Sequence, residues 1–169
     1  MRTILLPGLI AGLILGLLFI ALNTLGPSLS YTVREVTSII AMLLALFVAQ
    51  WTAIARQPAA LSGAFLPRYF TAVLCGVATA TVYGLMTYLH FRVIDPQYLA
   101  RFHEQYIERV RGQATTAEES EQLIAAAREM EEFVMNPLSQ ALVQFGTVLM
   151  LGLLAGVLVA LLVRRAERS

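Results

Sequence analysis

Four long stretches of apolar residues constrain this chain more than any other feature of its sequence. They cover residues 4–25, 36–55, 69–91 and 138–163, and none contains Asp, Glu, Lys or Arg. A helix needs about 20 consecutive apolar residues to cross the hydrocarbon core of a bilayer. The sequence therefore predicts four transmembrane helices. Composition agrees, since only 14% of the 169 residues are charged, against about 25% in soluble domains.

Turn signals separate these stretches. Gly26-Pro27 follows the first and Gln57-Pro58 follows the second, while Asn136-Pro137 supplies a cap and a first helical residue for the fourth. The first stretch is longer than the apolar core of a secretory signal, which has 7–15 residues. We therefore interpret it as a retained span and expect a single membrane domain over residues 1–169.

The segment between the third and fourth spans, residues 92–137, is polar but patterned. It contains nine acidic residues and five arginines. Asp95-Pro96 can open one helix and Gly112 can end it, and Thr116 followed by Glu119 fits a capping box that opens a second. Two helices joined in this way predict an antiparallel helical hairpin outside the membrane.

An alternative reading of the same segment is one long helix from Ala117 through the fourth span, kinked at Pro137. In either form the segment has apolar residues at helical spacing. These must pack against each other, against the mouth of the bundle or against a partner. The candidate partner-binding residues are Leu99, Phe102, Tyr106, Leu123, Met130 and Phe133.

Small residues recur every four positions on each span. Lipid gives helices no hydrophobic drive to associate, so close backbone approach at small side chains holds membrane bundles together. The stripes predict a tight four-helix bundle, or self-association through the glycines of the first span. On the second span the stripe is Ala41, Ala45, Ala49 and Ala53. The candidate helix-packing residues are Gly8, Gly12, Gly16, Gly76, Ala80, Gly84, Gly152 and Gly156.

The residues that enzymes and coupled transporters need are scarce. Ion coupling usually requires a charged or titratable group within the membrane, and only His90, at the end of the third span, is titratable. His103 lies thirteen positions further on, without metal-ligand spacing, and Cys75 is the lone cysteine. We expect no catalytic residue, no cofactor and no metal. The net charge of +1 also argues against nucleic-acid binding.

Arginine placement predicts the orientation, since basic residues near span ends favour the cytoplasmic side. Raw counts on the two sides are equal, at six arginines each. The sides differ in how many arginines lie close to a span end, and Arg56, Arg164 and Arg165 directly follow apolar stretches. We therefore expect both termini to be cytoplasmic and the polar hairpin to lie outside.

Several segments of the chain follow the pattern of a known family: Gly8 and Gly12, Tyr83–Tyr88, Ile94–Tyr98, Phe145–Leu162 and Arg164-Arg165. In these segments the chain resembles the four-span bacterial membrane proteins grouped as domain of unknown function 4199. The likeness covers most of the chain and rests on pattern and order. One departure is that the closing basic residues are arginines where lysines are more usual. The family implies a fold and an inner-membrane location but no activity.

These features together predict an all-α integral membrane protein with no enzymatic activity. The preferred function is structural or accessory, with a protein partner bound through the hairpin or the bundle surface. One alternative is a small-molecule transporter or binder that works as a dimer around a pathway of threonines and glutamines. A weaker alternative is a subunit of a larger bioenergetic or envelope complex. The lipid bilayer is the one partner that all three readings share.

Overall fold

The computed structural model describes residues 2–24, 31–57, 64–113 and 116–166. Over these ranges every regular element is a helix, and there is no strand. A π-helical turn, His90–Ile94, continues the third α-helix. The α-helices are α1 (Arg2–Thr24), α2 (Tyr31–Ala55), α3 (Phe65–Leu89), α4 (Tyr98–Gln113), α5 (Ala117–Glu129), α6 (Glu131–Met135) and α7 (Pro137–Ala166).

Four helical segments are long and apolar enough to cross a membrane: Arg2–Thr24, Thr32–Ala55, Phe65–Ile94 and Pro137–Val163. The prediction of four spans is confirmed, and the chain is a multi-pass, all-α membrane protein. The second and third helices begin earlier than the apolar stretches do. Polar and charged residues at the end of a span can stay helical, so an apolar run marks the membrane core better than it marks the helix end.

The chain divides into two compact units. The first unit comprises residues 1–87 and 144–169, and the second comprises residues 88–143. The first unit therefore contains α1, α2, nearly all of α3 and most of α7. The second contains the π-helical turn, α4, α5, α6 and the first residues of α7.

Packing within the first unit centres on side chains from several helices. Leu46 of α2, Tyr83 of α3 and Val148 of α7 belong to one buried cluster, and Phe19 of α1 packs its ring edge-on against Tyr83. A second cluster joins Ala11, Ala49 and other small residues. Large aliphatic side chains such as Leu44 and Leu158 remain exposed. Such an outward apolar surface suits helices that face lipid tails.

In the second unit the chain changes from α3 to α4 through the π-helical turn. The backbone N–H of Asp95 donates to the carbonyl oxygen of His90 at 2.8 Å, which closes the wider turn. Tyr98 then begins α4, so the helix starts two residues after Pro96 rather than at it. α4 contacts both α5 and α6.

Two sequence-predicted caps are confirmed. The side chain of Thr116 accepts a hydrogen bond from the backbone N–H of Glu119 at 3.2 Å and caps α5. Asn136 Oδ1 accepts from the backbone N–H groups of Leu138 and Ser139, at 2.9 and 3.3 Å. Pro137 is then the first residue of α7, where its missing N–H costs nothing.

The alternative of one long helix from Ala117 through the fourth span is wrong. α5 ends at Glu129 and α6 is a separate helix of five residues. Asn136 then has an extended backbone, with φ −82° and ψ 115°, before α7 begins. An extended residue with a capping side chain starts a new helix instead of kinking an old one.

Candidate functional site

The central polar contact of the first unit joins α2 to α7. Gln50 is fully buried, and its Nε2 donates a hydrogen bond of 2.7 Å to the backbone carbonyl oxygen of Gly152. Polar bonds of this kind hold transmembrane helices together, because the hydrocarbon around them offers no competing partner. Gln50 is thus a structural bridge in the apolar core.

Glycines make the room that this amide occupies. A Cβ added to Gly76 would lie 3.3 Å from Gln50 Nε2, and one added to Gly152 or Gly156 would lie 3.7 or 3.8 Å from it. The α3 and α7 backbones also meet here, since a Cβ on Gly152 would lie 3.5 Å from the Cα of Gly76. The small residues therefore allow both the close helix approach and the glutamine bridge.

One polar atom in this region lacks a hydrogen-bond partner within the described parts of the chain. It is Gln50 Oε1, the carbonyl oxygen of the same side-chain amide. An unpaired buried acceptor lowers stability. Gln50 therefore has one satisfied donor and one acceptor that could take a further hydrogen bond.

The other polar groups of the spans bond mostly within their own helices. Thr79 donates to the carbonyl oxygen of Cys75 at 3.0 Å, Thr81 to that of Val77 at 2.8 Å, and Asn23 to that of Phe19 at 2.8 Å. A hydroxyl bonded in this way has used its donor within its own helix. The transporter alternative thus gains no support from these threonines.

Two further polar contacts in the first unit were not anticipated from the sequence. Tyr83 donates to Gln144 Oε1 at 3.4 Å, between α3 and α7. Arg68 is completely buried in the first turn of α3, and its Nε donates to the carbonyl oxygen of Ala64 at 3.1 Å. Its position next to an apolar run suggested a loop arginine, and no feature of the sequence indicated burial.

The structure buries all of the predicted helix-packing residues and shows what the glycines of α1 contact. A Cβ on Gly8 would lie 2.3 Å from the carbonyl oxygen of Cys75, and one on Gly12 would lie 2.6 Å from that of Thr79. One on Gly16 would lie 2.5 Å from Met86 Cβ. The glycine stripe of α1 thus lies directly against α3. The remaining residues of the set, all buried, are Gly76, Ala80, Gly84, Gly152 and Gly156.

The second unit contains an aromatic cluster around the π-helical turn. The ring of Tyr98 lies 5.3 Å from that of His90, 5.5 Å from that of Phe91 and 6.3 Å from that of Phe102, measured between centroids. His90 and His103 are both buried. These rings hold the start of α4 onto the turn by packing. Tyr98 and Phe102 are half-buried in this cluster rather than exposed.

The candidate partner-binding residues divide into two groups. Leu99 is buried and Phe102 is half-buried, so both pack inside the protein. The other four are 41–56% exposed, which leaves much of their apolar surface uncovered. Those four are Tyr106 on α4, Leu123 on α5, Met130 between α5 and α6, and Phe133 on α6.

Charged side chains surround a cleft between α4 and α5 of about 630 Å³. Arg111 of α4 lines it together with Glu121, Arg128 and Glu129 of α5. At the other end of α4, Arg101 forms an ion pair with Asp95. Among the described residues no three His, Cys, Asp or Glu side chains come together as metal ligands would.

The chain belongs to the family of proteins of unknown function DUF4199, whose family model matches residues 7–165. The resemblance drawn from the sequence is thereby confirmed. No curated protein matches the chain, and neither does any solved structure.

Proposed function

We propose that this member of the DUF4199 family is a non-enzymatic accessory protein of the bacterial inner membrane that binds a protein partner through its second unit. One observation carries the proposal. Leu123, Met130 and Phe133 are 41, 56 and 48% exposed in a segment that is otherwise rich in charge. Large apolar side chains gathered within a polar surface are typical of interaction sites.

The spacing of these residues supports a common face. Leu123 and Met130 are seven residues apart, and Phe133 follows three residues later, as on one side of a helix. The break between α5 and α6 is the single residue Met130, whose backbone angles are helical at φ −89° and ψ −1°. Its carbonyl oxygen accepts from the backbone N–H of Val134 at 2.9 Å, the first hydrogen bond of α6. We define these three residues as the α5–α6 patch.

The hairpin arrangement is part of the same proposal. Contacts of α4 with α5 and with α6 support two antiparallel arms. Leu99 and Val110 of α4 and Ala127 of α5 are each buried. In this arrangement the apolar face of each arm packs against the opposite arm. The α5–α6 patch is not covered by this packing and is accessible to a partner.

Charge around the patch indicates the chemistry of the partner. Residues 117–135 contain six glutamates and one arginine. A complementary surface would combine an apolar centre with Lys or Arg at its rim, because opposite charges steer association and reject wrong partners. The partner is therefore expected to present a basic rim, and raised salt is expected to weaken the complex.

Orientation completes the proposal. Five arginines lie within two residues of an apolar stretch on the side of the termini, against two, Arg34 and Arg92, on the other side. This density favours cytoplasmic termini, which puts residues 92–137 on the outer side of the inner membrane. The partner would then be an envelope protein or the outer part of another membrane protein. This orientation rests on the sequence alone.

Affinity purification from mild detergent, followed by quantitative mass spectrometry, tests the proposal. The test variant combines Leu123→Ser, Met130→Ser and Phe133→Ser, which removes the apolar surface. Its matched control combines Leu123→Met, Met130→Leu and Phe133→Leu, which keeps it. We expect the serine variant to lose a specific protein that wild type and control both retain, by at least about tenfold, since two or three interface anchors at 1 kcal/mol or more are lost.

A second variant separates binding from folding. Replacing Gln97–Glu132 by a short Gly/Ser linker should leave four inserted spans, because insertion depends on the apolar runs. Any partner bound through the second unit should be lost from it. A partner set that survives both this deletion and the serine variant would place binding on the membrane-spanning helices and refute the proposal.

A further inference from the structure

An open groove runs along the outside of the first unit between α1 and α2. Its volume is about 490 Å³. Ala41, Ala45 and Ala49 of α2 line it together with Ala11 of α1. Because alanine side chains are short, the two helices leave a channel where larger residues would have filled the space.

The rims of this α1–α2 groove are aliphatic and exposed. Ile10 and Ile14 of α1 are 50 and 57% exposed, and Leu44 and Val48 of α2 are both 61% exposed. Both helices are membrane spans, so this surface is in contact with hydrocarbon rather than water. A flexible alkyl chain matches such a channel in both shape and polarity.

The groove is polar only at one end. Thr52 lies near that end, but its hydroxyl already donates to the carbonyl oxygen of Val48 at 2.7 Å. Arg56 lies just beyond the last residue of α2, lines the groove and has an exposed side chain. Guanidinium groups bind phosphate with two parallel hydrogen bonds. A cation at one end of an apolar channel matches the two parts of a lipid: headgroup and acyl chain.

We propose that the α1–α2 groove is a binding site for one anionic phospholipid. An acyl chain lies along the alanine floor between the aliphatic rims, and the lipid phosphate pairs with Arg56. Basic pockets between transmembrane helices bind acidic lipid headgroups by the same combination of contacts. The site does not depend on the partner proposed for the second unit.

Native mass spectrometry of the purified protein in nonionic detergent tests the charge requirement. Phosphatidylglycerol and phosphatidylcholine with identical acyl chains are titrated in turn. Wild type is expected to retain phosphatidylglycerol about fivefold better, the preference that one arginine near a membrane surface provides. Arg56→Gln should abolish this preference, whereas Arg92→Gln, which removes an exposed arginine outside the groove, should keep it.

A second pair of variants tests the channel. Val48→Trp places a bulky ring at the groove rim, and Leu154→Trp makes a matched change on α7, where the side chain is 64% exposed and outside the groove. Only Val48→Trp is expected to lower retention of both lipids. The proposal is overturned if Arg56→Gln keeps the preference for phosphatidylglycerol, or if both tryptophan variants retain lipid as wild type does. It is also overturned if the protein is a dimer whose second copy covers the groove, which dissociation of the dimer by Val48→Trp would show.

Discussion

Gln50 Nε2 and the backbone carbonyl oxygen of Gly152 are 2.7 Å apart, and the hydrogen bond between them links α2 to α7 in the buried interior of the first unit. Gly76 leaves room for this amide, because a Cβ there would lie 3.3 Å from Gln50 Nε2, closer than an ordinary contact. One relationship thus combines the two forces that assemble transmembrane helices, which are close backbone packing and interhelical polar bonds.

Two substitutions of Gln50 should distinguish the loss of its hydrogen bond to Gly152 from the cost of burying a charge at this position. Gln50→Met keeps the volume and removes both the donor and the unpaired acceptor Oε1, so we expect stability to fall by no more than about 1.7 kcal/mol. Gln50→Glu buries a carboxylate that cannot donate to Gly152 while ionised, and it should cost about 2.5–3.5 kcal/mol. Unfolding titrations with SDS in mixed micelles measure both. Gln97→Glu, at an exposed position, is the control, and equal stability of both glutamate variants would contradict the bridge.

The loss of stability on substitution of each glycine by alanine should depend on which atoms the new Cβ would contact. At Gly8 and Gly12 it would lie 2.3 and 2.6 Å from backbone carbonyl oxygens of α3. A backbone cannot rotate away as a side chain can, so the helices must separate. We expect Gly8→Ala and Gly12→Ala each to destabilise the protein by about 1–3 kcal/mol, measured by the same titrations.

Two other glycines are the matched controls. A Cβ on Gly152 would make ordinary contacts at 3.5 Å or more, and one on Gly146 would meet nothing within 4 Å. Gly146→Ala should be neutral or raise stability by up to about 1 kcal/mol, since alanine favours the helix. The stability of Gly152→Ala should be close to that of Gly146→Ala. A similar loss at all four positions would mean that the α1–α3 approach is not specially close.

The sequence was sufficient wherever a local pattern determines the structure. Apolar runs predicted the spans because hydrocarbon accepts only helices whose backbone bonds are internal. Thr116 and Asn136 predicted two helix starts because a capping side chain bonds to backbone groups only two or three residues away. Even there, the helix ends differed from the ends of the apolar runs, as at Tyr31 and Phe65.

Relationships between distant residues could not be predicted. The stripes indicated which helix faces have small side chains. Nothing in them indicates that Gly8 contacts Cys75 or that Gly76 contacts Gly152. The burial of Arg68 was missed because one arginine at a span end looks like any other. The four exposed residues of the candidate partner set were also not separable from Leu99 and Phe102, which pack inside the protein, since amphipathic spacing is the same for both groups.

Removal of the α5 cap should have a local effect. Thr116→Ala deletes the oxygen that accepts from the Glu119 N–H, which costs about 1 kcal/mol of helix stability. We expect faster amide hydrogen exchange in the first turn of α5, with exchange in α1, α2 and α3 unchanged. Thr116→Ser keeps an accepting hydroxyl and should restore wild-type exchange. If Thr116→Ala changed exchange in the spans as well, the second unit would not be an independent element of stability.

Accessibility of introduced cysteines should reveal the orientation. The native Cys75 is completely buried, so the unmodified chain is expected to give no labelling background. Because arginines near span ends are denser on the side of the termini, Ser169→Cys should resist a membrane-impermeant maleimide in intact cells and react after permeabilisation. Gln113→Cys, at an exposed position at the end of α4, should react in intact cells. The reverse pattern would place the second unit in the cytoplasm and move the search for its partner there, while the four spans would be unaffected.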